Sequence, residues 1–173
     1  MHEPKKIVIN TGPILALIAG FGNLNILKSL YKKVFVPYEV SQEIFAGGST
    51  GFGINEFIDA NFLYKIKKPI FIPPHLRNSL DLGESSVIQT ALDNNIQTVC
   101  IDEAVGRRVA RLNELKLTGS LGIMIKAKNE GHSFLLSDVI HKMQSKGIRL
   151  SKRLITAVLK QVDENKHLNN KKH

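Results

Sequence analysis

The sequence predicts an α/β fold with a mainly parallel sheet covered on both faces by helices, and three observations predict it. Apolar, partly β-branched runs near residues 6–9, 34–36 and 98–101 are too brief for helices. Between them lie stretches whose apolar residues recur at the 3.6-residue spacing of a buried helical stripe. The two kinds alternate along the chain without an internal repeat, as right-handed βαβ crossovers require. With 173 residues, 43% of them hydrophobic, the chain suffices for one domain with a real core. That domain is expected over residues 1–163, with residues 164–173 a polar, frayed tail.

Lys6 to Ile9 reads as the first strand, and Asn10 stands at its end. Thr11-Gly12-Pro13 is a helix entry, because Thr caps well and Pro is tolerated in the first turn. Ile14, Leu15, Leu17 and Ile18 continue as a buried helix that Gly20 and Gly22 are expected to interrupt. Leu24, Ile26, Leu27, Leu30 and Tyr31 form a second helix. Val34 to Val36 is a second strand, closed by Pro37. Tyr38 to Phe45 follows as a helix ending at Gly47-Gly48. It carries Glu39 and Glu43 one turn apart, like charges that repel by a few tenths of a kcal/mol unless a cation lies between them or one turns away. Residues 47–53 carry four glycines and read as a mobile loop, a candidate cover for a ligand site. No Gly-Lys-Ser/Thr ending makes it a phosphate loop. Ile54 to Ala60 is a short helix, Phe62 to Ile66 an extended run and Pro69 to Pro74 a connection.

The stretch from Leu82 to Arg111 organises the rest. Val87, Ile88, Ala91 and Leu92 form a buried helical stripe with Glu84 on the same face at its N-terminal end. Thr98 to Ile101 is a strand that ends on Asp102, after which Val105, Val109 and Leu112 begin a new helical stripe. In open parallel sheets ligands bind in the crevice beyond the carboxyl strand ends, which is where Asp102 stands. Leu117 to Gly122 is a strand feeding a helix that runs to Gly131. Thr118, Ser120 and the free backbone donors there are candidates to hold a phosphate, with simple capping by Ser120 the alternative. Leu136, Val139, Ile140 and Met143 mark a helix ended by Gly147. Ser151 caps a last one, with Leu154, Ile155, Val158, Leu159 and Val162 inward and Lys152, Arg153 and Lys160 more exposed.

Composition narrows the function. The single cysteine, Cys100, cannot form an internal disulfide, and the N-terminus does not resemble a signal peptide. No apolar run approaches the ~20 residues of a membrane span. The expectation is a cytoplasmic protein without a membrane partner. The net charge of +9 divides as +3 over residues 1–82, −1 over 83–140 and +7 over 141–173. An acidic centre inside a basic chain is what a cation site serving a polyanionic ligand needs. The C-terminal basic run reads equally as a solvated helix face.

Asn10, Glu43, Glu84 and Asp102 are the candidates to converge at the carboxyl edge of the sheet. Oxygen-only ligands favour Mg²⁺ or Mn²⁺ over zinc. Such ions activate water against a phosphodiester and neutralise the leaving oxygen, so the implied reaction is hydrolysis of a nucleic-acid backbone. Each residue also has a structural reading. Asn10 suits an Asx turn or a helix cap, Glu43 an exposed helix face, Glu84 the dipole of a first turn, and Asp102 the cap of the helix that follows it. Arg107, Arg108 and Arg111 can pair with Glu103 as well as with phosphate. His167 and His173 do not make a metal site by themselves.

Several ordered motifs carry a family resemblance: Ile7-Val8-Ile9-Asn10-Thr11-Gly12-Pro13, Val36-Pro37-Tyr38-Glu39-Val40 through Glu43, Gly83-Glu84, Ile101-Asp102 with Arg107-Arg108, and Thr118-Gly119-Ser120-Leu121-Gly122. Together, over roughly residues 5–160, they resemble a subgroup of PIN-domain proteins. The resemblance implies a three-layer α/β/α sandwich with a central parallel sheet. It implies a Mg²⁺- or Mn²⁺-dependent endoribonuclease of single-stranded RNA, as in the toxins of toxin–antitoxin pairs, with an antitoxin and a second copy as expected partners. It makes Glu43, Glu84 and Asp102 the catalytic acids and, with Asn10, the metal ligands. Thr11, Arg107, Arg108, Arg111 and Ser120 become the nucleic-acid contacts. Asn10 departs from the aspartate usual at the end of the first strand: it offers a carbonyl oxygen but neither charge nor a proton acceptor. Glu39 and Glu103 are the acids available to compensate. Cys100 replaces the Ser or Thr common two residues before the last acid. Two other readings follow: a PIN-fold nucleic-acid-binding protein without catalysis, and an interaction protein whose acids only cap helices and whose basic C-terminal helix meets an acidic partner.

Overall fold

The computed structural model of the chain describes residues 5–162. Five strands, β1 (Lys6–Ile9), β2 (Lys33–Val36), β3 (Tyr64–Lys65), β4 (Thr98–Cys100) and β5 (Lys116–Thr118), form one sheet in the order β3-β2-β1-β4-β5. Every pairing is parallel, with Val8 opposite both Phe35 and Val99. Strands buried on both faces read as continuous apolar runs, and Ile7, Val8, Ile9, Val34, Val36, Val99 and Cys100 are all closed to solvent. The chain leaves β1 toward β2 and β3, then returns to place β4 on its other side. This reversal opens a crevice between the carboxyl ends of β1 and β4, where the Asn10 amide donates to the Cys100 carbonyl across 3.0 Å.

Ten helices among the described residues cover the sheet as an α/β/α sandwich. On one side α1 (Thr11–Phe21), α2 (Asn25–Leu30), α8 (Ser120–Asn129), α9 (Leu136–Ser145) and α10 (Lys152–Gln161) pack on one another. On the other, α6 (Leu82–Asp93) lies against β1 and β4. Around α6 stand α3 (Tyr38–Ala46), α5 (Pro74–Arg77) and α7 (Ala104–Leu112), with α4 (Ile54–Asp59) beside α3. None of these helices is long and apolar enough to cross a membrane, among the described residues.

Several elements differ from the sequence reading. Gly20 does not interrupt α1. It lies inside it, and a Cβ there would sit 2.7 Å from Val139 Cγ1, so its role is to let α9 approach. The helix ends only at Gly22, whose φ of 77° lets its amide close on the Ile18 carbonyl. Leu92 is exposed although its stripe partners Val87, Ile88 and Ala91 are buried. In α7 the apolar stripe is inverted: Val105 and Leu112 are 49% and 76% exposed, while Gly106 and Ala110 face inward. In α10 only Val158 is buried and Leu154 is exposed. The glycine-rich loop turns toward α1, since a Cβ on Gly53 would lie 2.8 Å from Leu15 Cδ2. The expected tail at residues 164–173, with His167 and His173, lies outside the described residues.

Candidate active site

The N-terminus of α6 is where the acidic residues gather. Asp81 caps it, accepting from the Glu84 amide at 2.8 Å, and a backbone hydrogen bond from Asp81 returns to the Glu84 carboxylate. This reciprocal pairing is a capping box, and the Asp-x-x-Glu spacing announces it in the sequence. Glu84, only 5% exposed, points into the fold. Burial raises its pKa, the charge of Asp81 adds to this, and Glu103 and Glu43 contribute in the same direction.

Glu43 reaches the same helix end from α3. The Gly83 amide, one of the free donors of the first turn, hydrogen-bonds its carboxylate. A Cβ on residue 83 would overlap that carboxylate, lying 2.8 Å from Oε2, so glycine is what admits Glu43. Burial raises the Glu43 pKa, the Thr11 hydroxyl bond opposes this, and the Asp81 charge adds to it. Glu39, one turn earlier, turns away: it is buried and its Oε1 accepts from the Ile70 amide at 2.9 Å. The two like charges thus part, which relieves the repulsion of their spacing.

Asn10 follows β1 as the N-terminal flanking residue of α1 but makes no side-chain cap bond. Its side chain is buried and Oδ1 has no partner among the described residues, an arrangement that calls for one. Asp102 follows β4, the strand that lies beside β1. It caps not its own helix α7 but α8, accepting from the Ser120 amide at 2.8 Å. Gly119 lets it do so, because a Cβ there would lie 2.6 Å from Asp102 Oδ1. Arg107 spans the same turn, donating to the Ile101 carbonyl at 2.8 Å. Arg108 and Arg111 are exposed, Ser120 is buried, and the Thr11 hydroxyl is committed to Glu43. Cys100 is fully buried, and that burial pushes its thiol well up.

The site therefore draws on the starts of two helices, with Glu43, Asp81 and Glu84 around the first turn of α6 and Asp102 and Arg107 at the start of α8. Among the described residues no ion pair reaches any of these carboxylates. No three His, Cys, Asp or Glu side chains there are grouped to hold a metal. The oxygen donors themselves suit a hard divalent cation, and the partnerless Asn10 Oδ1 and uncompensated carboxylates are the features such an ion would satisfy. Sequence reasoning passed over Asp81 and Gly106, and it named Gly83 and Gly119 as motif residues without the role of admitting a carboxylate. Gly106 plays for Glu84 the part Gly83 plays for Glu43, since a Cβ there would lie 3.0 Å from Glu84 Oε1.

No curated protein matches the chain. The family model DUF3368, described as a PIN domain, matches residues 6–164. This span takes in the whole sheet and all the acids named above, and on that match the chain belongs to the PIN-domain family, whose fold is of nuclease type.

Proposed function

We propose that the protein is a divalent-metal-dependent endoribonuclease that hydrolyses single-stranded RNA. The observation that carries this reading is the buried, partnerless Asn10 Oδ1 at the sheet's switch point. It lies on the same carboxyl edge as Glu43 and Glu84, which have no cationic partner among the described residues. Asn10, Glu43 and Glu84 would hold Mg²⁺ or Mn²⁺, with Asp102 completing the set. A bound ion of this kind supplies an activated water and neutralises charge on the scissile phosphate.

The chain's own groups account for the rest. Thr11 and the Gly83 amide fix the Glu43 carboxylate, and Asp81 fixes Glu84, so both are held before a ligand arrives. Burial raises the pKa of both acids, so each holds its proton more readily than an ordinary surface carboxylate. Arg108 and Arg111, exposed on α7, would meet backbone phosphates, and the overall charge of +9 favours a polyanion. A toxin role, with a small antitoxin and a second copy as partners, belongs to the same proposal.

One observation favours a second reading, a protein that binds nucleic acid without cutting it. Asn10 brings no charge where an acid would, so the site binds a cation less strongly. Cleavage of a labelled mixed-sequence single-stranded RNA with Mn²⁺ separates the two. The nuclease reading expects cleavage by the native protein that Asp102→Asn abolishes. Silence from the native protein with cleavage restored by Asn10→Asp would establish the binding reading, and silence from both would reject the nuclease.

A further inference from the structure

Beside the acidic centre, on the α3 side of α6, lies an open cleft of about 580 Å³. That volume falls in the range of about 300–1,000 Å³ typical of ligand sites. Glu43 lines it, so it is continuous with the candidate active site. Tyr38, Pro69, Ile70, Phe71, Ile72 and Leu82 supply a mostly apolar wall. Phe71 is 80% exposed and stacks on no other ring among the described residues. Leaving a phenyl ring in water costs burial energy that a flat ligand would recover. Arg77, exposed at the same cleft, makes no ion pair among the described residues.

The second observation is polar. Glu39, 6% exposed, also lines the cleft. The Ile70 amide holds its Oε1, while Oε2 is buried without a partner. A buried acceptor of this kind lacks a donor. An aromatic face, a fixed acceptor and a nearby cation, next to a carboxylate of the acidic site, are the parts that hold one nucleotide.

We propose that this cleft is a subsite for one unpaired base bearing an exocyclic amino group, on the strand whose backbone lies at the acidic centre. The base stacks on Phe71, its amino group donates to Glu39 Oε2, and Arg77 takes the adjoining phosphate. The inference rests on the nucleic-acid reading above and adds to it a preference. Cytosine carries an amino group where uracil carries a carbonyl, so the pair isolates the Glu39 contact.

The test is equilibrium binding of short fluorescein-labelled oligocytidylate and oligouridylate, with Ca²⁺ as the divalent ion. The native protein should bind the cytosine strand about tenfold more tightly, the effect of one hydrogen bond to a charged acceptor. Phe71→Ala, at an exposed position that leaves folding intact, should weaken both strands roughly fivefold to 100-fold, as loss of one stacked base does. Glu39→Gln keeps an acceptor for the Ile70 amide but puts an NH2 donor in place of Oε2, so it should abolish or reverse the preference for the cytosine strand. Salt-sensitive binding by the native protein that neither variant alters would overturn the subsite and leave the nucleic-acid reading standing. Binding of neither strand by the native protein would overturn both.

Discussion

Thr11 gives its hydroxyl to Glu43 Oε2 across 2.5 Å, tying the first residue of α1 to the second turn of α3. The two residues are far apart in sequence, yet each stands on the helix that follows its strand's carboxyl end. The bond holds Glu43 in one rotamer and opposes the effect of burial on its pKa. Thr11→Val keeps the side-chain shape and removes the hydroxyl. Chemical denaturation should show a loss of about 1 kcal/mol, the usual worth of one hydrogen bond. In the pH–rate profile of RNA cleavage the acidic limb should move to higher pH, because Glu43 then keeps its proton longer. An unmoved limb would mean that Glu43 does not govern the rate.

Glu84 gives a prediction in pH. Burial, with Asp81 next, holds its pKa above the ordinary carboxyl value, so the folded state retains the proton more tightly than the unfolded chain. The stability associated with this group is complete below its unfolded pKa and is lost as pH rises through the folded value. Glu84→Gln removes that loss. Near neutral pH the variant should melt higher than the native protein by about 2–4 °C for each kcal/mol relieved, and the difference should vanish near pH 4. Mn²⁺ at about 100 times its Kd should raise native stability by ~2.7 kcal/mol and leave the variant unmoved. Parallel melting curves at every pH, with and without Mn²⁺, would refute this account of the residue.

The strand ends were legible in the sequence because short apolar runs closed by Asn10 and Asp102 admit little else, and Glu84 was legible because it shares the phase of Val87, Ile88 and Ala91. The phase of α7 was not. Val105, Val109 and Leu112 repeat with the same period as Gly106 and Ala110, and hydrophobicity alone chooses the larger set. The structure chooses the smaller one because residue 106 faces Ile101 and Glu84, where a Cβ would lie 2.9 Å from Ile101 Cγ2. The partner of Asp102 was equally hidden. A cap on α8 rather than α7 depends on β4 and β5 lying side by side, a relation that local spacing does not contain. Likewise a glycine whose role is to admit a carboxylate from another helix looks in sequence like any helix glycine.

Gly20 offers the same lesson for stability. An alanine there gains up to about 1 kcal/mol of helix propensity. Its methyl, however, would lie 2.7 Å from Val139 Cγ1 and 3.2 Å from Met143 Cγ in the closed contact of α1 with α9. Overpacking of this kind costs roughly 1–3 kcal/mol, so Gly20→Ala should lower the melting temperature by a few degrees. Adding Val139→Ala makes room for the new methyl. The pair should then be less destabilised than the sum of the single changes, a coupling that denaturation of the four proteins measures directly.

Gly83→Ala separates the site from the fold. Residue 83 lies in the first turn of α6, where alanine is a better helix former than glycine, and its backbone needs no left-handed angle. The obstruction is the Glu43 carboxylate, the far end of a side chain that can swing away without disturbing the core. The expected result is therefore a melting temperature equal to or slightly above that of the native protein, with cleavage reduced by about tenfold or more as Glu43 is misplaced. Because Glu43 also borders the cleft beside Phe71, binding of oligocytidylate should weaken less than cleavage does. A large loss of stability would show that Glu43 does not swing away from the end of α6. Unchanged cleavage would show that the contact between Glu43 and the end of α6 has no part in the chemistry.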